Sequence, residues 1–108
     1  ARVTGVAAGA YHSAILTEDG RLWLWGGNDR GQLGHGSGVR EARLPRPLEA
    51  FPGRDGGRRA ALVSLGGFHS AAVDVEGRLF TWGDNKRGQC GQGEAAKVEE
   101  PTPLTLAP

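Results

Sequence analysis

The chain has 108 residues, 38% hydrophobic and 23% charged, with a formal net charge of +1. That bounds it to one ordinary globular domain at most, and it excludes any general electrostatic attraction to nucleic acid or an anionic membrane. No apolar run approaches the roughly 18 residues that span a bilayer, and the single cysteine forms no internal disulfide, so an intracellular setting, cytoplasmic or nuclear, is expected.

Residues 3–8 read as a short strand that turns at Gly9. His12 to Thr17 reads as a second strand. Glu18-Asp19-Gly20 follows, and an Asp-Gly pair between apolar runs signals a hairpin. A type I′ turn, with positive φ at both central residues, is expected there. Strand three runs from Arg21 to Trp25 and ends at Gly26-Gly27. A glycine- and asparagine-rich loop continues to Gly38, and Val39 to Arg46 is polar and basic. Pro47 to Phe51 is expected to hold a short fourth strand, with prolines that suit a strand's start or a sheet edge. Pro52 to Arg59 is a loop rich in arginine and glycine.

The second half repeats this order. Leu22-Trp23-Leu24-Trp25-Gly26 returns as Leu79-Phe80-Thr81-Trp82-Gly83, and Gly31-Gln32-Leu33-Gly34-His35-Gly36 returns as Gly88-Gln89-Cys90-Gly91-Gln92-Gly93, both 57 residues on. Glu76-Gly77 replaces Asp19-Gly20 in the hairpin. Pro101-Thr102-Pro103-Leu104 matches Pro45-Arg46-Pro47-Leu48 at a spacing of 56. Glu94 to Glu99 is expected to hold one helical turn at most. Repeat 1 covers about 3–58 and repeat 2 about 60–108 of a single region, 1–108.

Strand three carries the physical clue. All four residues of Leu22-Trp23-Leu24-Trp25 are apolar, so both faces of its sheet are expected to be covered. Four short strands per repeat, stacked face to face, describe the blades of a β-propeller.

The ordered string Val-Ala-Ala-Gly…His-Ser-Ala-Ile-Leu-Thr-Glu-Asp-Gly-Arg-Leu-Trp-Leu-Trp-Gly…Gly-Gln-Leu-Gly-His-Gly resembles the repeat of RCC1 (regulator of chromosome condensation 1) proteins, and the second copy resembles it equally well. The resemblance implies an all-β fold of β-propeller blades, each of four antiparallel strands, usually seven in a ring. Two repeats leave such a ring incomplete unless chains oligomerise. One plant branch of the family senses ultraviolet light through a Gly-Trp-Arg-His-Thr motif. The corresponding places here read Ala10-Tyr11-His12-Ser13-Ala14 and Gly67-Phe68-His69-Ser70-Ala71, without the tryptophan, so photoreception is not implied.

Gly26, Gly31, Gly34 and Gly36, with Gly83, Gly88, Gly91 and Gly93, are read as positions needing positive φ or close backbone approach; Gly20 and Gly77 are the hairpin glycines. Gly91-Gln92-Gly93-Glu94-Ala95-Ala96 fits a G-x-G-x-x-A pattern. No buried strand leads directly into it and no helix follows, so a phosphate-cradling role lacks its context. No cofactor and no metal is expected. Trp25 and Trp82 are read as core anchors. His12 and His69 recur without a carboxylate or cysteine cluster at ligand spacing, which favours a hydrogen-bonded structural role over metal ligation. Gln32 and Gln89 are expected to bond across their loop or to the adjacent blade. Cys90 replaces Leu33 and is read as a small apolar core residue, with no catalytic partner.

The features that differ between copies are the candidates for specific function. Arg40, Arg43, Arg46, Arg54, Arg58 and Arg59 make one rim basic, whereas Glu94, Glu99 and Glu100 make the matching rim acidic. The bland reading is a solvated loop; the sharper one is contact with an acidic partner surface or a phosphate backbone. No nucleophile, base and oxyanion donor assemble in the sequence. The favoured function is a non-enzymatic protein–protein interaction module, expected to be either a piece of a longer protein of such repeats or a chain that self-associates through exposed blade faces. The runner-up, implied by the resemblance, is a guanine-nucleotide exchange regulator of a small GTPase with chromatin association. Nucleic acid and membrane are not expected as partners.

Overall fold

In a computed structural model of the chain, residues 2–53 and 56–106 are described. They form eight strands and, among the described residues, no helix. The strands are β1 (Val3–Ala8), β2 (His12–Thr17), β3 (Leu22–Gly27), β4 (Glu41–Pro47), β5 (Ala60–Leu65), β6 (His69–Asp74), β7 (Leu79–Asp84) and β8 (Lys97–Leu104). They build two four-stranded antiparallel sheets, ordered β1-β2-β3-β4 and β5-β6-β7-β8. Each sheet is therefore made of consecutive strands, and no strand crosses between them.

The hairpins form where the sequence places them, with a different turn. Gly20 N donates to Thr17 O (2.9 Å) and Thr17 N to Arg21 O (3.0 Å). Only Gly20 has positive φ, at 83°, and no described non-glycine residue does. This is a three-residue loop, a type I turn closed by a left-handed glycine, rather than the expected type I′ turn. The extra residue explains the outcome: Glu18 gives the loop a third member, and Asp19 is relieved of positive φ. The second hairpin repeats it, with Gly77 at 84° and Gly77 N donating to Asp74 O (3.0 Å).

The fourth strand lies earlier than expected. It is residues 41–47, with Arg46 opposite Leu24 and Pro47 opposite Trp23. Its prolines cost no ladder hydrogen bonds because it is the outermost strand, whose other side faces solvent. Leu48 to Phe51 instead turns inward. Leu48 N donates to Leu22 O (2.8 Å), and Leu48 and Phe51 are buried. β8 likewise holds Pro101 and Pro103 on an outer edge and starts at Lys97, within the segment expected to hold a helical turn.

The two sheets pack face to face, and one continuous core of Leu, Ala, Phe and Trp lies between them. Side chains alternate across each strand, so only one face of each sheet reaches that core. Leu22 and Leu24 are fully buried, while Trp23 and Trp25 on the opposite face are half-buried. The expectation that both faces of strand three would be covered is corrected: one face is covered, because each sheet has a single neighbour.

Candidate protein-binding faces

The seam between the sheets sets the pattern against which the open faces can be read. His12, Ala14 and Leu16 of β2 and Leu22 and Leu24 of β3 face it from the first sheet. Ser70 and Ala72 of β6 and Phe80 and Trp82 of β7 meet them from the second. Trp82 is 0% exposed and lies against Gly34, where an added Cβ would come within 2.8 Å of its Nε1. Only glycine leaves room for that indole. Phe51 meets Phe80 edge-on, with centroids 5.2 Å apart.

A polar relay crosses the same seam. His12 Nε2 lies 2.9 Å from Ser70 Oγ, and Ser70 Oγ donates to the Gln32 carbonyl at 2.7 Å. Because the serine spends its one proton on Gln32, it accepts from His12, which fixes the Nε2–H tautomer. Nδ1 has no hydrogen-bond partner among the described residues. Burial, and after it the neighbouring His69, lowers the His12 pKa to about 4, so the ring is neutral at neutral pH. At the rim of the seam Arg30 pairs with Asp84 at 3.1 Å and lies 4.8 Å from the Phe68 ring, which itself stacks on Tyr11 at 5.1 Å. Ser70, Arg30 and Asp84 were not singled out from the sequence. Ser13/Ser70 and Arg30/Arg87 do recur at the repeat spacing, and that was the available signal.

The loop after each third strand is organised by an asparagine. Asn28 Oδ1 accepts from Leu33 N and Asn85 Oδ1 from Cys90 N, both at 2.9 Å. Gln32 and Gln89 accept through Oε1 from Arg30 N and Arg87 N. Cys90 is buried, its Sγ 3.4 Å from the Asp84 carbonyl, and burial raises its thiol pKa. The two loops share this geometry and differ in their surroundings. Gln32 is 1% exposed, whereas Gln89 is exposed. A Cβ on Gly31 would lie 3.1 Å from the Val98 carbonyl; one on Gly88 would meet nothing within 4 Å. The hairpins repeat the contrast, with Gly20 against Arg59 and Gly77 in open space.

These contrasts define two open end faces. One is on the first sheet, where Ser13, Ile15, Trp23 and Trp25 are half-buried. The other is on the second sheet, where His69, Ala71, Val73 and Leu79 are half-buried beside the exposed Gln89 loop.

The described arginines stand in several settings. Arg40 precedes β4 and is exposed; Arg43 pairs with Glu41 at 2.7 Å. Arg46 and Arg58 line a groove of about 610 Å³ between the outer strands, together with His35, Glu49 and Glu100, so both charge signs meet there. Arg58 also lies 4.8 Å from the Phe80 ring, and Arg59 donates to the Glu18 carbonyl at 3.1 Å, tying the inter-sheet connection to the first hairpin. Arg54 lies outside the described residues. On the acidic side Glu99 pairs with Lys97 at 3.1 Å, and Glu94 is exposed. Among the described residues no group of three or more His, Cys, Asp or Glu stands together to hold a metal, and no helix is long and apolar enough to cross a membrane.

The family model described as the regulator of chromosome condensation (RCC1) repeat matches residues 19–73 and 76–108. The chain belongs to the RCC1 repeat family. A second model of the same repeat matches residues 3–32 and 61–89. The RCC1 match at 19–73 runs from the first hairpin to β6, so one family repeat straddles the seam, whereas one blade is four consecutive strands. The chain is 40% identical over 84 residues to the RCC2 homolog of Danio rerio, covering 78% of this chain and 16% of that protein. It is 37% identical over 100 residues to the E3 ubiquitin-protein ligase HERC2 of Homo sapiens, covering 93% of this chain and 2% of that one. Among solved structures, yeast RCC1 (Prp20) bound to Kap60 superposes with a TM-score of 0.85 at 27% identity, covering 96% of this chain and 25% of that one. Human WBSCR16 superposes with a TM-score of 0.80 at 30% identity, covering 97% and 26%. The chain thus spans between 2% and 26% of the length of these proteins, and its two sheets are two RCC1 propeller blades.

Proposed function

We propose that the chain is a non-enzymatic protein–protein interaction module of two RCC1 blades, with repeats at about 3–58 and 60–108, and that it self-associates through its end faces in an intracellular setting, cytoplasmic or nuclear. The observation that carries this reading is the contrast between Trp82, sealed in the seam, and its counterpart Trp25, half-buried on an open face. Apolar sheet faces left open in this way are association surfaces. Acrylamide quenching of tryptophan emission tests the self-association. Trp23 and Trp25 become protected as chain concentration rises; quenching that is independent of concentration argues against it.

A second reading is a guanine-nucleotide exchange regulator of a small GTPase with chromatin association. It is favoured by the likeness to Prp20p of Saccharomyces cerevisiae, at a TM-score of 0.85 and 27% identity, a protein whose structure was described with its binding to Gsp1p and histones. Nucleotide release from a panel of small GTPases separates the two. The module reading expects no acceleration, and acceleration of any one member would favour the exchange reading. The ligase names among the relatives are carried by proteins of which this chain covers 2% and 10%, so that activity is not transferred to it.

A further inference from the structure

The seam inside the chain is heterologous: two different faces meet, one from each blade. Those same two faces, shifted by one repeat, are the ones left open at the ends of the pair. The outgoing face of blade 1, which carries Ala14 and Leu22, is filled; its counterpart on blade 2, which carries Ala71 and Leu79, is open. The incoming face of blade 2, which carries Trp82, is filled; its counterpart on blade 1, which carries Trp25, is open.

We infer that a second copy of this chain docks head-to-tail, its Trp25 face on the Ala71 face of the first, in the register of the internal seam. This rests on the self-association proposed above and assigns its geometry. Moving the main seam contacts on by one repeat gives their partners. The relay His12–Ser70–Gln32 becomes His69 of one copy, Ser13 of the next and the Gln89 carbonyl, and all three residues are present. Trp82 against Gly34 becomes Trp25 against Gly91, again with glycine where the indole needs room. Arg30 over Phe68 becomes Arg87 over Tyr11, which is 63% exposed in one chain. Arg59 at the first hairpin becomes Arg2 at the second.

Not every contact is reproduced. Phe51 and Arg58, both against Phe80, have no counterparts, because the positions 57 residues after Phe51 and 57 before Arg58 are Pro108 and Ala1. The carboxylate that Arg30 meets is Asp84, and the matching position in blade 1 is Gly27. The joint between chains is therefore weaker than the seam within a chain, and the absent carboxylate can be supplied. A Cβ on Gly27 would lie 3.6 Å from its nearest neighbour, the Tyr11 carbonyl, an ordinary contact, and Gly27 does not have positive φ. An aspartate fits there and would face Arg87 of the neighbouring copy. Heterologous contacts close into rings when the rotation permits. Seven blades, the number the family resemblance implies, are not divisible by two, so a closed ring of two-blade chains near that size has six or eight blades, from three or four chains.

The test uses two full-length variants, each blocked on one end face, and one strengthened variant. Trp25→Arg spoils the incoming face and Ala71→Arg the outgoing face; neither lies in the internal seam. Each alone is expected to be monomeric by sedimentation velocity, and an equimolar mixture at hundreds of micromolar is expected to give a discrete heterodimer. A mixture that stays monomeric while the wild type assembles overturns the register and spares self-association. A wild type that stays monomeric overturns both. If Ala71→Arg dimerises alone, the contact is Trp25 face to Trp25 face, and the head-to-tail joint is wrong. Gly27→Asp keeps the test open should a blocked variant misfold. It is expected to lower the chain–chain dissociation constant roughly two- to fivefold, a gain cancelled by Arg87→Glu. An unchanged constant in Gly27→Asp refutes the placement of Arg87 at the joint.

Discussion

Protonating His12 is expected to loosen the seam. The ring is 3% exposed and donates from Nε2 to Ser70 Oγ, while Nδ1 has no hydrogen-bond partner among the described residues. Burial is the main cause that lowers its pKa from 6.5 to about 4 in the folded chain. The unfolded chain binds this proton below about 6.5, and the folded chain resists it down to about 4. The neutral ring's full contribution is therefore present above about pH 6.5 and is lost progressively as pH falls towards 4. At roughly 1.4 kcal/mol per pH unit, the loss over that interval is about 3 kcal/mol. His12→Gln preserves a donor near Ser70 and removes the titration. The assay is urea unfolding of both proteins at about pH 7 and about pH 4.5. The low-pH loss of stability should be smaller in the variant by most of that amount. Other titrating groups, His35 and Asp74 among them, act in both proteins and cancel in the difference. Equal losses in the two proteins would refute the role assigned to the buried ring.

Paired substitutions at repeat-equivalent positions read the seam against the open faces, at concentrations low enough to keep the chain monomeric. Gly20→Val and Gly77→Val both force a β-branched residue into positive φ, and each should cost more than roughly 1 kcal/mol in thermal melts. Gly20→Val should cost more, because its Cβ also meets Arg59 at 2.5 Å. Trp82→Ala should lose about 3–5 kcal/mol of unfolding free energy, the range for a buried large aromatic. Trp25→Ala, on the open face, should lose less than half of that. Ser70→Ala breaks the relay to His12 and Gln32 and should cost about 1–3 kcal/mol by denaturant unfolding, whereas Ser13→Ala should be near neutral.

The strands were legible because each is a short apolar run bounded by glycine, and because two copies at one spacing restrict each other's reading. The edges of the repeat were less legible. Pro45 and Pro47 mark a strand only once that strand is known to be outermost, a tertiary fact. Leu48 and Phe51 look like a strand's apolar residues but serve as a plug for the seam. The relay was half visible: His12 and His69 stood out, but Ser70 gains meaning only when a histidine from the other blade reaches it. Trp23 and Trp25 could not reveal from sequence which face would be covered, because that depends on the number of neighbouring blades. The arginines were grouped by sequence proximity, and the fold sends the described ones to β4, to the groove and to the hairpin.

The solution mass of the wild-type chain by light scattering, across a hundredfold range of concentration, tests the account most directly. A discrete species of three or four chains, dissociating on dilution, is the predicted result. A monomer at every concentration, with Trp25 as open to quencher as in the isolated chain, would contradict it.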